Sequence, residues 1–392
     1  MIKPLNSKQK LCYNVTIIEE GENMVYLDYS ATSPIDEAVL DTFVKASKYI
    51  GNPNSLHRLG LEAKELIDAS SLQIAKILGV KKEEIIYTSG ASEANDMVIK
   101  GLGNYKGKRV LTTSLEHSSI TAPLSYLADN GYEVDMIPLI DGLVDLKALK
   151  NCIDDDTVLI SIGAVNSETG VRQPIEEIGK MLKEEYPNVL FHSDITQAVG
   201  KIKIDLTNVD MASFAAHKFF GIKGIGALIK KENVRLVPLI HGGKSTTLYR
   251  SGTPNTQLIA SMAKALRLAY ENMDNDIEKI TKLNDKLKES FKKYENVFIN
   301  STDDSIPHIL NISVLGIKPE TMLHALEEDD IYISTQSACS TGDVSQAVMA
   351  IVNDNDRASS SLRVSISRKT TEEEIDLFIK CFDKCYKKLQ MR

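Results

Sequence analysis

Long apolar stretches are missing from this chain: no run of about 18 apolar residues occurs, which excludes a membrane-spanning helix. The opening MIKPLNSKQKLCYNVTIIEE lacks the apolar core of a signal peptide, so residues 1–24 read as a leader, either loose or packed with the smaller domain. A basic excess is missing too. Lys and Arg number 46 against 54 Asp and Glu, a net charge of −8, and no cationic block is dense enough to follow a phosphate backbone. Nucleic acid and membrane are therefore discounted as partners. Cysteine is scarce: Cys12, Cys152, Cys339, Cys381 and Cys385 are too scattered for a disulfide framework and point to a reducing, cytoplasmic setting. What is present is ordinary globular material, 43% hydrophobic and 26% charged over 392 residues, enough for two domains.

Short apolar runs alternate with helical patterns, the α/β signature. Strands are expected at Ile85–Thr88, Arg109–Thr112, Val134–Ile137, Val158–Ala164, Val189–His192, Met211–Ala215 and Gly226–Ile229. Their continuous apolar character predicts a mostly parallel seven-stranded sheet covered by helices such as Glu62–Leu78, Ile120–Asn130 and Ile175–Tyr186. From 255 to 306 neither Gly nor Pro occurs, and Ile259, Met262, Leu266, Ile280, Leu287 and Phe291 keep helical spacing, so one long helix or a helix pair leaves the first domain there. Strands at His308–Val314, Ile331–Ser334 and Ser361–Ser367, with a closing helix announced by Thr371 and Glu374 in capping-box spacing, predict a smaller α+β domain. The expected division is 1–24, 25–270 and 271–392.

Several segments carry chemistry. In IIYTSGASEAND a strand runs through Ser89-Gly90-Ala91-Ser92 into a helix, offering either a phosphate cup of open N–H groups or an ordinary capped turn. In NVLFHSDITQAVGK, Asp194 ends a strand beside Gln197, where it either caps the next turn or pairs with a cationic heterocycle. In DMASFAAHKFFGIKGIGAL a strand delivers His217 and Lys218 into a glycine-rich turn, where the lysine either snorkels or, desolvated, does Schiff-base chemistry. The glycines are out of order for a dinucleotide fingerprint, and GGKST at 242–246 has Pro238 where a Walker loop needs glycine. The polar stretch from Ser334 to Arg368 reads as a long loop around a lone thiol, Cys339. Cys381 and Cys385, four apart on the closing helix among Phe378 and Phe382, read as packing and not as a metal site.

In this order the motifs resemble the cysteine desulfurases, fold-type I pyridoxal 5'-phosphate enzymes of the class V aminotransferase group. The similarity runs from VYLDYSATSP through GNPNSLHRLG, TSGASEAND, EHSSI, VNSETGVRQPI, SDITQAVGK, AAHKFFGIKGIGAL, RSGTPN and SACS to SLRVSISRKTT. It implies that Lys218 binds the cofactor covalently and moves the substrate α-proton. It further implies that Asp194 pairs with the pyridine nitrogen, Gln197 bonds the ring hydroxyl, and His117 stacks on the ring. Ala91, Ser92 and His217 would hold the phosphate, with Thr253 reaching it from the other subunit of a homodimer. Asn166 and Arg363 would position the substrate, L-cysteine, whose sulfur Cys339 takes as a persulfide and passes to an acceptor or scaffold protein. Iron–sulfur clusters, thiolated tRNA or another sulfur cofactor would be the destination.

Two departures from the family pattern stand out: Ala215 where relatives carry a phosphate-binding serine, and Lys244 within GGKST where they carry GGGQE. Lys244 is expected to restore by charge what Ala215 loses. The alternatives are an aminotransferase or selenocysteine lyase of the same group, for which Cys339 is dispensable, or a non-catalytic sulfur-relay relative.

Overall fold

Strands buried on both faces need no polar alternation, and the seven apolar runs assemble accordingly into one sheet. The computed structural model describes residues 24–335 and 344–390. In chain order the strands are β1 (Ile85–Thr88), β2 (Arg109–Thr112), β3 (Glu133–Met136), β4 (Thr157–Ser161), β5 (Leu190–Asp194), β6 (Met211–Ala215) and β7 (Gly226–Lys230). They lie in the order β1-β7-β6-β5-β4-β2-β3. All neighbours are parallel except β7, which runs against both β1 and β6. Leu111, Ile160, Phe191, Ala212 and Ala227 face one helical layer, and Val110, Leu159, Leu190, Met211 and Leu228 face the other. β4 stops at Ser161, short of the expected Ala164. The Gly163 N–H turns instead to the carboxylate of Glu116, at 3.0 and 3.1 Å.

Helix α1 (Ala91–Lys100) follows β1, and α2 (Ser118–Asp129) follows β2. The glycine-free region forms a helix pair, α3 (Thr256–Glu271) and α4 (Met273–Phe291), broken at Asn272 without help from Gly or Pro. The two face different cores. Ile259, Met262 and Leu266 of α3 pack into the large sheet's core, whereas Ile280, Leu283, Leu287 and Phe291 of α4 join a second core. That second core also holds an antiparallel sheet of β8 (Val297–Ile299), β9 (Ile309–Val314) and β10 (Ser361–Ser365), together with α5 (Glu372–Gln390). Val25 and Leu27 are buried in it as well, and Val25–Tyr26 lies parallel to Ile331–Tyr332.

The capping box ahead of α5 forms as its spacing predicts: Thr371 N–H donates to Glu374 Oε2 at 2.6 Å and Glu374 N–H to Thr371 Oγ1 at 3.2 Å. One expectation needs correction. Of the stretch read as a long loop, residues Gln346–Val352 and Asn355–Ser359 are short helices. Ser345 and Asp354 cap them, and burial of Ala347, Val348 and Ala358 holds them in place. Cys339 lies outside the described residues.

Candidate active site

The register of the sheet brings the functional segments to one edge. Gly226 pairs with both Thr88 and Ala215, and Ser213 pairs with Asp194, so the turns after β1, β5 and β6 emerge side by side at the carboxyl ends of parallel strands. A Cβ at Gly226 would lie 2.8 Å from Gly90 Cα, so only glycine lets the start of α1 sit this close to β7. A cavity of about 540 Å³ opens there. Every described residue among the predicted site residues except Thr253 lines it.

Lys218 leaves β6 through a single 3₁₀ turn, Ala216–Lys218. Its Nζ donates to Ser30 O at 2.6 Å and Ala31 O at 2.8 Å. Asp194 caps the next turn, its Oδ1 accepting from Thr196 N–H at 2.9 Å, while its Oδ2 accepts from Asn95 Nδ2 at 2.9 Å. Gln197 donates from Nε2 to Ser30 O at 2.9 Å. His117 caps α2, its Nδ1 accepting from Ser119 N–H at 3.1 Å, which leaves the proton of the neutral ring on Nε2. Burial lowers its pKa, opposed by the charge of Asp194. The ring of His217 is pushed down to about 4, first by desolvation and then by Lys218 and Lys223.

Residues for the substrate come from both cores. Asn166 is committed at Oδ1 to the Glu168 and Thr169 N–H groups, each at 2.9 Å, while Nδ2 donates to Leu115 O at 3.1 Å. Arg363, on β10, is 2% exposed; it donates to Ser167 O at 3.0 Å and to Asp28 Oδ1 at 2.7 Å. Its Nε is buried and has no partner among the described residues. The cap position of α1, Gly90, offers no side chain, which leaves the helix N-terminus open to an anion beside Ser92. A half-buried carboxylate, an amine and an open helix end around one cavity of this size fit pyridoxal phosphate.

Some contributors were not anticipated. Asn95 is wholly buried one turn into α1 and bridges Asp194 to Ser119 Oγ, each at 2.9 Å; an amide on the buried face of a helix was the available signal. Glu116 beside His117 lines the cavity, and desolvation lifts its carboxyl to about 7 against the bonds from Thr113 and Gly163. Arg250 of RSGT donates to Glu93 Oε1 at 2.9 Å, tying that loop to the first turn of α1, while Thr253 itself is exposed outside the cavity. The expected role of Lys244 is not met within one chain. Lys244 is exposed and is not on the cavity wall of its own chain, whereas Ala215 and Lys223 are.

The aminotransferase class-V family model matches residues 25–378. A cysteine desulfurase IscS of Glaesserella parasuis is 40% identical over 383 residues, covering 93% of each chain. The mitosomal cysteine desulfurase of Encephalitozoon cuniculi is 40% identical over 374 residues, 92% of this chain and 86% of that one. Among solved structures, a NifS-like protein superposes with a TM-score of 0.87 at 33% identity, covering 94% of this chain and 100% of that one.

Proposed function

Because the chain belongs to the class V aminotransferase family and is a cysteine desulfurase dependent on pyridoxal phosphate, we propose the following division of labour among its residues. When bound, the cofactor supplies an aldehyde that joins amines reversibly and a ring that draws electrons from the substrate α-carbon. Lys218 Nζ would hold the aldehyde carbon, and as a free amine it would take the α-proton of L-cysteine. The Ser30 and Ala31 carbonyls, 2.6 and 2.8 Å from Nζ, receive the amine when it is displaced. Asp194 would keep the ring nitrogen protonated, Gln197 would offer an N–H to the ring oxygen, and His117 would stack on the ring. Ala91, Ser92 and His217 hold the phosphate.

Arg363 and Asn166, both on the cavity wall, orient the substrate carboxylate. The Cys339 thiolate then attacks the substrate sulfur. An S–S bond forms at Cys339, the C–S bond breaks with its electron pair passing to the carbon skeleton, and that skeleton collects protons and leaves as alanine. A thiol of the acceptor protein removes the sulfur. Residues 25–270 act as the cofactor-holding unit and 271–392 as the unit that brings Arg363 and Cys339 to it. The observation that carries this reading is the convergence of Lys218, Asp194, Gln197 and Arg363, from both cores, on one cavity.

The working form is a homodimer. Leu40, Val44, Ile50, Leu56, Leu61 and Leu72 are all exposed on residues 40–72, an apolar surface that a second copy would cover. Thr253, exposed in one chain, then reaches the phosphate of the other. No described helix is long and apolar enough to cross a membrane, and the free thiols Cys152, Cys381 and Cys385 suit a reducing, cytoplasmic setting.

The test is incubation of the loaded enzyme with L-cysteine and a reductant. Sulfide and alanine are expected in equal amounts, and Cys339→Ser is expected to lose turnover while keeping the cofactor's absorption. Full activity in Cys339→Ser would transfer the assignment to an aminotransferase or lyase reaction. Sedimentation of the wild type and of Leu56→Asp checks the dimer.

A further inference from the structure

Lys201 is a buried lysine that the division of labour above leaves unused. It is 7% exposed, and its nearest charged neighbours, Lys218 and Arg363, are both cations. Together with desolvation, the larger effect, they hold its pKa well below the ordinary lysine value. The other ionisable groups near it are His217, whose ring is pushed down in part by the charge of Lys201, and Tyr29, Asp276, His308 and Arg368, which line a second cavity of about 30 Å³ with Lys201 and Lys218. No carboxylate forms an ion pair with Lys201 among the described residues. An amine placed in this way destabilises the fold relative to an aliphatic side chain of the same volume, so its presence calls for a function.

Its hydrogen bond supplies one. Lys201 Nζ donates to Gln197 Oε1, four residues back along the chain. The other end of that amide is committed as well: Gln197 Nε2 donates to Ser30 O, and a carbonyl only accepts. The two contacts fix which end of the amide is which. Turning the amide over would set Oε1 against the Ser30 carbonyl and Nε2 against an amine. An amine has N–H to give in either protonation state, so the arrangement does not depend on the charge of Lys201. Ser30 O accepts from Lys218 too, at 2.6 Å, and keeps its bond from Gln197 when Lys218 turns to the cofactor. An amide nitrogen carries two N–H groups, and Gln197 lines the main cavity, so one N–H remains for a ligand there.

We propose that Lys201 is a positioning residue that locks the Gln197 amide with its nitrogen toward the active-site cavity, so that the cofactor's ring oxygen always meets a donor. The proposal rests on the assignment of Gln197 to that oxygen. A fixed donor favours the ionised form of the oxygen and lowers the pH at which the bound cofactor titrates.

The experiment is a pH titration of the visible absorption band of the loaded protein in the wild type, Lys201→Met, Gln197→Leu and the double variant. Lys201→Leu serves as a second aliphatic replacement, and a melting temperature at or above the wild type's certifies that each variant is folded. Lys201→Met is expected to raise the titration midpoint by about one pH unit, a tenfold change in proton affinity. In the Gln197→Leu background the same substitution is expected to move the midpoint by less than about a third of that. An unmoved midpoint in both Lys201 variants overturns the proposal. So does an equal shift in the two backgrounds, because the lysine would then act by its charge alone. A wild type with no visible band after added pyridoxal phosphate would instead remove the cofactor assignment on which the proposal stands.

Discussion

The carboxyl edge of the large sheet and the aromatic core of the small unit are buried alike and built by opposite rules. In the small core, Phe291 and Phe382 meet edge to face at 4.9 Å and 74°, and Phe378 adds a ring at 6.0 Å. Its polar atoms are paired: Tyr294 donates to Asp383 at 3.0 Å and the Cys385 thiol to Ala325 O at 3.3 Å. At the sheet edge, buried Ser30 Oγ, Asn95 Oδ1 and Arg363 Nε have no partner. One layer deeper the first rule returns, with His192 held between Ser161 and Ser213, each at 2.9 Å. Paired polar atoms make structure, and unpaired ones gathered in one place make a site.

Four measurements test that contrast. The largest effect is expected from Lys218→Ala, which should cut alanine formation from L-cysteine by more than about a thousandfold with little change in the unfolding midpoint. A large loss of stability would make this lysine structural and erase the contrast. Phe382→Ala should do the reverse, costing about 3–5 kcal/mol in denaturant unfolding while the folded fraction binds cofactor with an unchanged spectrum. Arg363→Lys keeps the charge and loses the fork; an increase in KM for L-cysteine of about ten- to a hundredfold is expected, larger than the change in kcat.

The smallest effect concerns His192. Burial holds its folded pKa at about 4, against 6.5 for the ordinary group. The unfolded chain therefore takes up this proton first, so stability is complete above pH 6.5 and declines as pH falls toward 4. The decline is at most about 1.4 kcal/mol per pH unit from this residue. Urea midpoints at pH 7 and pH 5 should show it, and His192→Gln should flatten the slope.

Much of the fold was legible because burial on both faces leaves an unmistakable mark, a short unbroken apolar run. The closing helix was legible for a local reason, since Thr371 and Glu374 satisfy each other's backbone within four residues. The hairpin Leu139–Ile140 with Leu143–Val144 was missed. Its Asp141-Gly142 turn, at φ 51° and 81°, is the standard signal for one. The short helices after Ser345 were hidden by the polar residues around them. Asn95, Glu116 and Lys201 were not anticipated as members of the site, because an amide, a carboxyl and an amine inside helical or turn segments look like solvent-facing residues until the packing around them is known.

Residue type and local spacing by themselves determined the strands, the caps and the candidates Lys218, Asp194 and Gln197, because each depends on a side chain's own chemistry or on neighbours within a few positions, whereas Arg363 came only with the resemblance to the cysteine desulfurases. Only the tertiary structure decided that Asp194, Lys218 and Arg363 share one cavity, with Asn95 bonded to Asp194 and Asp28 to Arg363, and that α3 and α4 serve different cores. It also decided that Lys201 faces an amide and not water. Those facts depend on sheet order and on which groups are left without partners, and a partner hundreds of residues away leaves no mark on the sequence beside a residue.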